Sequence, residues 1–353
     1  MPLSPACLFD MHARYNIIQF VFFCLEPHKG PGQRVSNEEC PLVPSSREGL
    51  LIFPLMPNNT GGVVLKKIAI VGAGNLGKVL GCALKERGYE IAAATALTEK
   101  SRLAAAELFN CPVYKEPEKA AEKADIIFLT TPDGVIEEVS TRIAEFGGIK
   151  RGQVVVHTSG AHSSAVLSSA KSKGSSVISI HPLQTFPELQ KGLDSLPGTF
   201  FAVEGDEDAF PTAKEIIESL QGRMLSIPTE MKPLYHAAAC VACNYFVSLI
   251  DIALRLYEPM GVPKNEAVQA LYPLIEATLR NVKHLGPEKA LTGPIARGDL
   301  STVEVHIEQI NTHFPHLLPF YKQLGLYTAE LASRKGTISE EDLKIMKNLL
   351  GGE

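Results

Sequence analysis

Tryptophan is absent from the 353 residues, and three further shortages narrow the reading. Lysine and arginine (34) are outnumbered by aspartate and glutamate (39), giving a formal net charge of -5. No basic field points to nucleic acid as a partner. No stretch reaches the ~18 consecutive apolar residues expected of a membrane-spanning helix. The longest early run, Ile17 to Leu25, lacks the basic start and small-residue cleavage site of a signal peptide. The seven cysteines are scattered, and only Cys240 and Cys243 form a CxxC pair. Without a second pair there is no zinc framework, so no metal is expected, and the usage fits a reducing cytoplasm. Cys240 and Cys243, set among alanines, read as small packing residues.

The first sixty residues hold eight prolines and three of the cysteines, with no sustained helical or strand period. Residues 1–63 read as a poorly ordered extension or as translation from an upstream start, with Met56 as an alternative start. A targeting segment is a third reading.

From Val64 the pattern is regular. Apolar runs at Lys67–Val71, Glu90–Thr95, Asp125–Thr130, Gln153–His157, Val177–Ile180 and Phe200–Val203 predict strands. Helical segments lie between them, including Ser101–Phe109 and Gly134–Phe146. This alternation predicts βαβ units and a parallel sheet covered on both faces. After Asp206 the sequence offers helices and no convincing strand. Met231–Tyr257 is long and apolar, so it is expected at the centre of a helical domain. Further helices are expected at Lys264–Leu285, Thr302–Gln309, Leu317–Ser333 and Glu340–Leu350, the last started by Thr337 or Ser339. The fold class is therefore α/β: a doubly wound domain over residues 64–206, then an all-α domain over 207–353.

The sharpest motif follows the first strand. Ile68-Ala69-Ile70-Val71 leads into Gly72-Ala73-Gly74-Asn75-Leu76-Gly77 and then a helix. A lone GxGxxG is weak, but strand before and helix after make it a dinucleotide-binding turn. Gly72 permits the turn, Gly74 lets a diphosphate approach the backbone, and Gly77 lets helix and strand pack closely. Amide groups at the helix start then bind the anion. An NAD site places a carboxylate ~20 residues on, for the ribose. Here the second strand ends in Ala94-Thr95-Ala96, followed by Thr98, Lys100, Ser101 and Arg102, which suit a 2′-phosphate. NADP is expected, with NAD as the alternative that Glu99 would favour. Lys100 and Arg102 read equally well as a solvated helix start.

Ligands of such sheets sit at the carboxyl ends of the strands. Thr131, Pro132 and Asp133 lie at one end, and Ser159 and Gly160 follow His157 at another. These are expected against the nicotinamide, although Ser159-Gly160 also suits a plain turn. His157, His162 and His181 lie near strand ends, where turn chemistry asks for no histidine. In the helical half, Lys232 and His236 are four residues apart on one helix face, a catalytic candidate pair. The competing reading is a solvated lysine and a satisfied buried histidine. Asn244, two turns on, is a substrate candidate, as is His181. Thr292, Arg297 and Glu304 form a second group: Arg297 suits a carboxylate, and Ser301-x-x-Glu304 also reads as a capping box.

Four segments carry a family resemblance: HTSGAHSSAVL, HPLQTFP, the YHAAA run at Tyr235–Ala239, and LTGPIARGD. In these the chain resembles proteins that join a Rossmann-like domain to a DUF2520 helical domain. The match covers almost everything after residue 64. The wider clan includes ketopantoate reductase, pyrroline-5-carboxylate reductase and the 6-phosphogluconate and β-hydroxyacid dehydrogenases. The resemblance to ketopantoate reductases implies a proton-donating lysine on the first long helix of the second domain, at Lys232. His236 stands where they have asparagine. It also implies a substrate pair, with Thr292 in place of serine and Glu304 twelve residues on. The clan implies a homodimer through the helical domain.

The expected activity is NADP-linked reduction of a small carbonyl or imine, or the reverse, in a cytoplasmic enzyme with no nucleic-acid or membrane partner. A non-catalytic NAD(P)-binding sensor is the alternative.

Overall fold

The computed structural model describes residues 66–352, so the expected extension over 1–63 lies outside the described residues. Eight strands form one sheet: β1 (Lys67–Val71), β2 (Glu90–Thr95), β3 (Val113–Tyr114), β4 (Ile126–Leu129), β5 (Val154–His157), β6 (Ser176–Pro182), β7 (Phe200–Gly205) and β8 (Arg223–Ser226). Their order is β3-β2-β1-β4-β5-β6-β7-β8. The chain winds outward from β1 in one direction and returns to build the other, so β1 and β4 flank the topological switch point.

The seven helices interleaved with the strands are α1 (Asn75–Glu86), α2 (Glu99–Phe109), α3 (Pro117–Ala121), α4 (Ile136–Glu145), α5 (Ser168–Ser172), α6 (Leu189–Ser195) and α7 (Phe210–Ser219). Alternation within β1 shows how the two layers arise. Ile68 and Ile70 are buried with residues of α1, α2 and α7 on one face. Ala69 and Val71 turn to the opposite face, where α3, α4 and α5 pack. Successive side chains of a strand point to opposite faces, so a fully covered strand must be apolar throughout.

Three expectations need correction here. The sheet is not all parallel: β7 runs antiparallel to β6, with Ile180 opposite Val203. The two-residue β3, parallel to β2 at the edge, is too short to leave a periodic signal. A strand does follow Asp206: β8 pairs parallel with β7, Phe201 opposite Met224. The sheet therefore extends to Ser226, and the boundary expected at 206 falls inside it. Edge strand β8 (RMLS) is exposed along its length, so neither a buried run nor alternation marks it.

The helical part comprises α8 (Lys232–Cys240), a π-helical turn at Val241–Tyr245, α9 (Phe246–Arg255), α10 (Lys264–Ala290), α11 (Leu300–His313), α12 (Leu318–Lys335) and α13 (Glu340–Leu350). Within α10, Gly286 at φ +76 breaks the helix just after Leu285. The last helix starts as expected, with a Ser339–Asp342 capping box. The box expected at Ser301–Glu304 is absent. Asp299 caps α11 instead, accepting from the Thr302 amide at 3.1 Å and from the hydroxyls of Ser301 and Thr302.

The continuous helix expected at the centre of this domain is not central. Leu234, Val241, Tyr245 and Val247 are each about 60–70% exposed. Thr229–Met260 is long and apolar enough to cross a membrane by length and composition alone. Its apolarity does not come from burial among the described residues. The buried core of the helical part lies elsewhere, around Val303, Ala329, Met346 and Leu350 of α11, α12 and α13.

Candidate functional site

The glycine turn is built as an anion cradle. The side-chain oxygen of Thr95 accepts from the Gly72 amide at 3.0 Å, and its carbonyl from the Ala73 amide at 2.8 Å. The Gly74 amide folds back on the Gly72 carbonyl at 2.8 Å. Thr130 Oγ1 donates to the same carbonyl at 2.7 Å, pinning the turn to the end of β4. Gly72 adopts φ +104, a conformation natural only to glycine. The first intrahelical bond is from the Lys78 amide to the Gly74 carbonyl at 2.9 Å. Among the described residues, the amides of Asn75, Leu76 and Gly77 have no backbone partner. They are the orphan donors of a helix N-terminus.

The other two glycines separate fold from function. A Cβ at Gly77 would collide with the Gly72 carbonyl and stand 2.6 Å from Thr130 Oγ1. A Cβ at Gly74 would meet nothing within 4 Å. Gly77 is thus required by packing. Gly74 borders open space, as close approach of a ligand requires. The Asn75 side chain faces the other way, donating to the Phe186 and Pro187 carbonyls and holding the HPLQTFP loop against the turn.

Beside the turn lies a cleft of about 730 Å³ at the switch point. It is lined by Gly72, Ala73, Gly74, Thr95, Thr98, Ser101, Lys115, Thr131, Pro132 and Arg142, among others. The expected Gly72–Gly74, Thr95, Thr131 and Pro132 therefore share one cavity. Thr131 Oγ1 is buried without a hydrogen-bond partner. Glu99, the carboxylate that spoke for NAD, does not line it. Arg102 turns back on the Leu97 carbonyl at 2.8 Å, so it braces the β2–α2 loop.

A second cluster lies at the ends of β5 and β6. Gly160 lies where a Cβ would be 2.5 Å from His236 Nδ1 and 2.8 Å from His181 Nε2. The loop from β5 and helix α8 thus meet at a glycine because no side chain fits between them. His181 Nδ1 is 3.0 Å from the Tyr235 hydroxyl. His236 Nδ1 is buried with no partner, while its Nε2 lies 3.5 Å from Cys240 Sγ. Burial, then the Lys232 charge, pushes His181 down to about 4 and His157 to about 3. Both imidazoles are neutral near pH 7, and His181 keeps a single ring proton to share with Tyr235. Burial pushes the Tyr235 phenol up to about 12. Ser159 makes a turn: its Oγ accepts from the Ala161 and His162 amides at 3.1 and 3.0 Å.

Lys232 does not reach this surface. It is 0% exposed, with Nζ donating to Ser179 Oγ and lying 3.5 Å from Glu204 Oε1. Burial depresses its pKa, and Glu204 opposes that shift. The expected face shared by Lys232 and His236 is real in the helix, but the lysine points into the sheet. Asn244 lies in the π-helical turn and is exposed. Thr292 and Arg297 lie between α10 and α11 and Glu304 in α11, and no element from α10 onward packs extensively on the sheet or α8. One chain does not bring them to the histidines. Sequence reasoning missed Tyr235 as a site residue and Glu204 altogether. A carboxylate inside the apolar run FFAVEG was the available signal for Glu204.

The fold and cleft define a Rossmann-type nucleotide-binding protein with an appended helical domain. Family comparison agrees: residues 56–182 match the Rossmann-like domain, and residues 199–328 match the domain of unknown function DUF2520. The chain belongs to the proteins that combine these two domains. Among solved structures it is similar to a Bacteroides fragilis protein described as an NADP oxidoreductase. Identity is 25% and TM-score 0.63, over 75% of this chain and 98% of that one. It is also similar to a protein of Thermotoga maritima, with 27% identity and TM-score 0.57 over 80% and 98%. The fold extends to pyrroline carboxylate reductase of Plasmodium falciparum, solved with NADP bound: 15% identity and TM-score 0.51 over 78% and 98%. No curated protein matches the sequence.

Proposed function

We propose that the chain is an NADP-dependent oxidoreductase, with NAD as the lesser cofactor, acting on a small carbonyl or imine substrate. The observation that carries this reading is the cradle: three unpaired helix-start amides beside a glycine that borders open space. The similarity to a protein described as an NADP oxidoreductase supports it. Bound in the cleft, the dinucleotide supplies or accepts the hydride.

The chain's own residues then have distinct tasks. The amides of Asn75, Leu76 and Gly77 hold the diphosphate. Thr98 and Ser101, which line the cleft, face the ribose end. Thr131 and Pro132 border the cleft near β4, where the unpartnered Thr131 hydroxyl offers a hydrogen bond to the carboxamide. His236, beside Gly160 and with Nδ1 unpartnered, handles the substrate proton, and the His181–Tyr235 pair shares it. A general acid of this kind contributes about 10²–10⁴ in rate.

A substrate role for Thr292, Arg297 and Glu304 requires a second copy of the chain. The exposed apolar face of α8 and α9 is where we place that homodimer contact. Titration with NADPH, then a metabolite screen following its absorbance, tests the reading. Micromolar binding is expected, together with turnover on a carbonyl or imine that His236→Ala lowers at least 100-fold. Absence of binding to either reduced nucleotide at millimolar concentration overturns it.

A further inference from the structure

We infer that Lys232 is a positioning residue, the centre of a buried strut that fixes helix α8 against the β5 loop and so holds His236 over Gly160. The inference rests on the reading above for its link to catalysis, and on geometry for the strut itself.

The contacts close a circuit. Ser164, four residues after Gly160 in the same loop, donates its amide to Glu204 Oε1 and its hydroxyl to Glu204 Oε2, each at 2.8 Å. Glu204, on β7, is 1% exposed and lies 3.5 Å from Lys232 Nζ. Lys232 also donates to Ser179 on β6, which is wholly buried. Lys232 opens α8, and one turn later the same helix presents His236 to Gly160. The β5 loop is therefore bound to α8 twice, by charge at Ser164–Glu204–Lys232 and by close packing at Gly160–His236.

Two features argue against Nζ as the proton donor. Lys232 is fully buried. Its ammonium protons are committed to Ser179 and the carboxylate, and an ion pair broken inside a protein leaves an uncompensated charge. Its charge still reaches the site. The groups acting on His181 are Lys232, His236 and Asp133, with Tyr235 hydrogen bonded to it. Of these, Lys232 carries the strongest charge effect opposing imidazole protonation. Glu204, His157 and His162 are the further titratable groups of this corner.

The test pairs Lys232→Met with Glu204→Gln, which removes both charges while conserving volume and an acceptor for Ser164. His181 and His236 are titrated by NMR, and turnover is profiled against pH. The expected result is turnover lowered about 10- to 100-fold, as for a displaced histidine, with NADPH affinity retained and the His181 titration and acid limb both moving to higher pH. The inference is overturned if turnover falls a thousandfold or more at every pH with NADPH affinity intact, which makes Lys232 the donor. It is also overturned if the His181 titration does not move.

Glu204→Gln alone leaves the lysine in place and serves if the double variant does not fold. Its lysine loses its counter-charge but still carries its proton in the acid range where His181 titrates, so His181 is here expected to titrate lower. An unmoved His181, or an alkaline limb that tracks the lysine downward, overturns the inference. The imidazole titrations need no substrate. A wild-type chain that binds no cofactor sinks the proposed function but leaves the strut to be judged by NMR.

Discussion

Replacing Gly74 by alanine separates ligand contact from folding more cleanly than any other change in the cradle. Gly74 has φ -75 and ψ -165, which alanine adopts without strain, and its Cβ would meet nothing within 4 Å. Two small terms oppose each other. A stiffer unfolded chain favours alanine by about 0.4–1 kcal/mol, and its poorer quality as an N-cap disfavours it by a similar amount. The melting temperature is therefore expected to move by no more than about 3 °C. Binding differs, because the added methyl occupies the path by which a diphosphate reaches the amides. Losing one charge-assisted hydrogen bond costs about 1.5–3 kcal/mol, or about 10- to 150-fold in Kd. Gly77→Ala gives the opposite pattern. Its Cβ strikes the Gly72 carbonyl, and overpacking against backbone costs about 1–3 kcal/mol or more. Thermal melts with and without NADPH, beside fluorescence titrations, distinguish the two. A Gly74→Ala chain that binds NADPH within threefold of wild type would refute the placement of the diphosphate.

Gly160→Ala drives a methyl to within 2.5 Å of His236 Nδ1 and 2.8 Å of His181 Nε2. A histidine displaced by about 1 Å is expected to lower kcat about 100-fold, with NADPH affinity unchanged; equal losses in both would show that the loop serves the cofactor. Acid should destabilise the protein early. His181 and His157 titrate near 4 and 3 when folded, below the ordinary 6.5, so the unfolded chain binds more protons between these limits. Their contribution is intact above pH 6.5 and is lost as pH falls toward 4 and 3, at up to about 1.4 kcal/mol per pH unit for each imidazole. Denaturant midpoints flat from pH 7 to 4.5 would contradict this. Tyr245→Glu with Val247→Glu, on the exposed face of the π-helical turn and α9, should convert a dimer to monomer by light scattering; an unaltered mass would remove that face as the contact.

The sheet was legible wherever strands are buried on both faces, because continuous burial demands continuous apolar sequence. Strands β1, β4 and β5 show it: IAIV, IIFL and VVVH announce themselves. Where burial fails, so does the signal. Two-residue β3 and exposed β8 are held by backbone pairing, which any sequence can supply. The antiparallel turn of β7 is invisible for a related reason, since direction depends on the connecting path and not on composition. In the helical half the same logic misleads. Apolar sequence in α8 and α9 does not by itself report burial, and a helix read as central proves exposed among the described residues.

The site divides along the line between local and long-range chemistry. The GxGxxG turn is legible because strand, glycines and helix are consecutive in the chain, although Thr95 and Thr130 brace it from β2 and the end of β4. The histidine cluster is not. Gly160, His181 and His236 come from β5, β6 and α8, and their meeting depends on Glu204, 28 residues before Lys232 in the chain. Sequence spacing correctly paired Lys232 with His236 on one helix. It could not show that the helix crosses the sheet so that its first turn faces buried Ser179 and Glu204 and its second faces Gly160. A lysine on an apolar helix has two physical solutions, a lowered pKa in a site or a counter-charge in a core. The carboxylate at the end of FFAVEG decides between them. With both Glu204 oxygens engaged by Ser164 and the ammonium set against Oε1, the ion pair is a fixed part of the frame. The imidazoles alone remain free to exchange a proton.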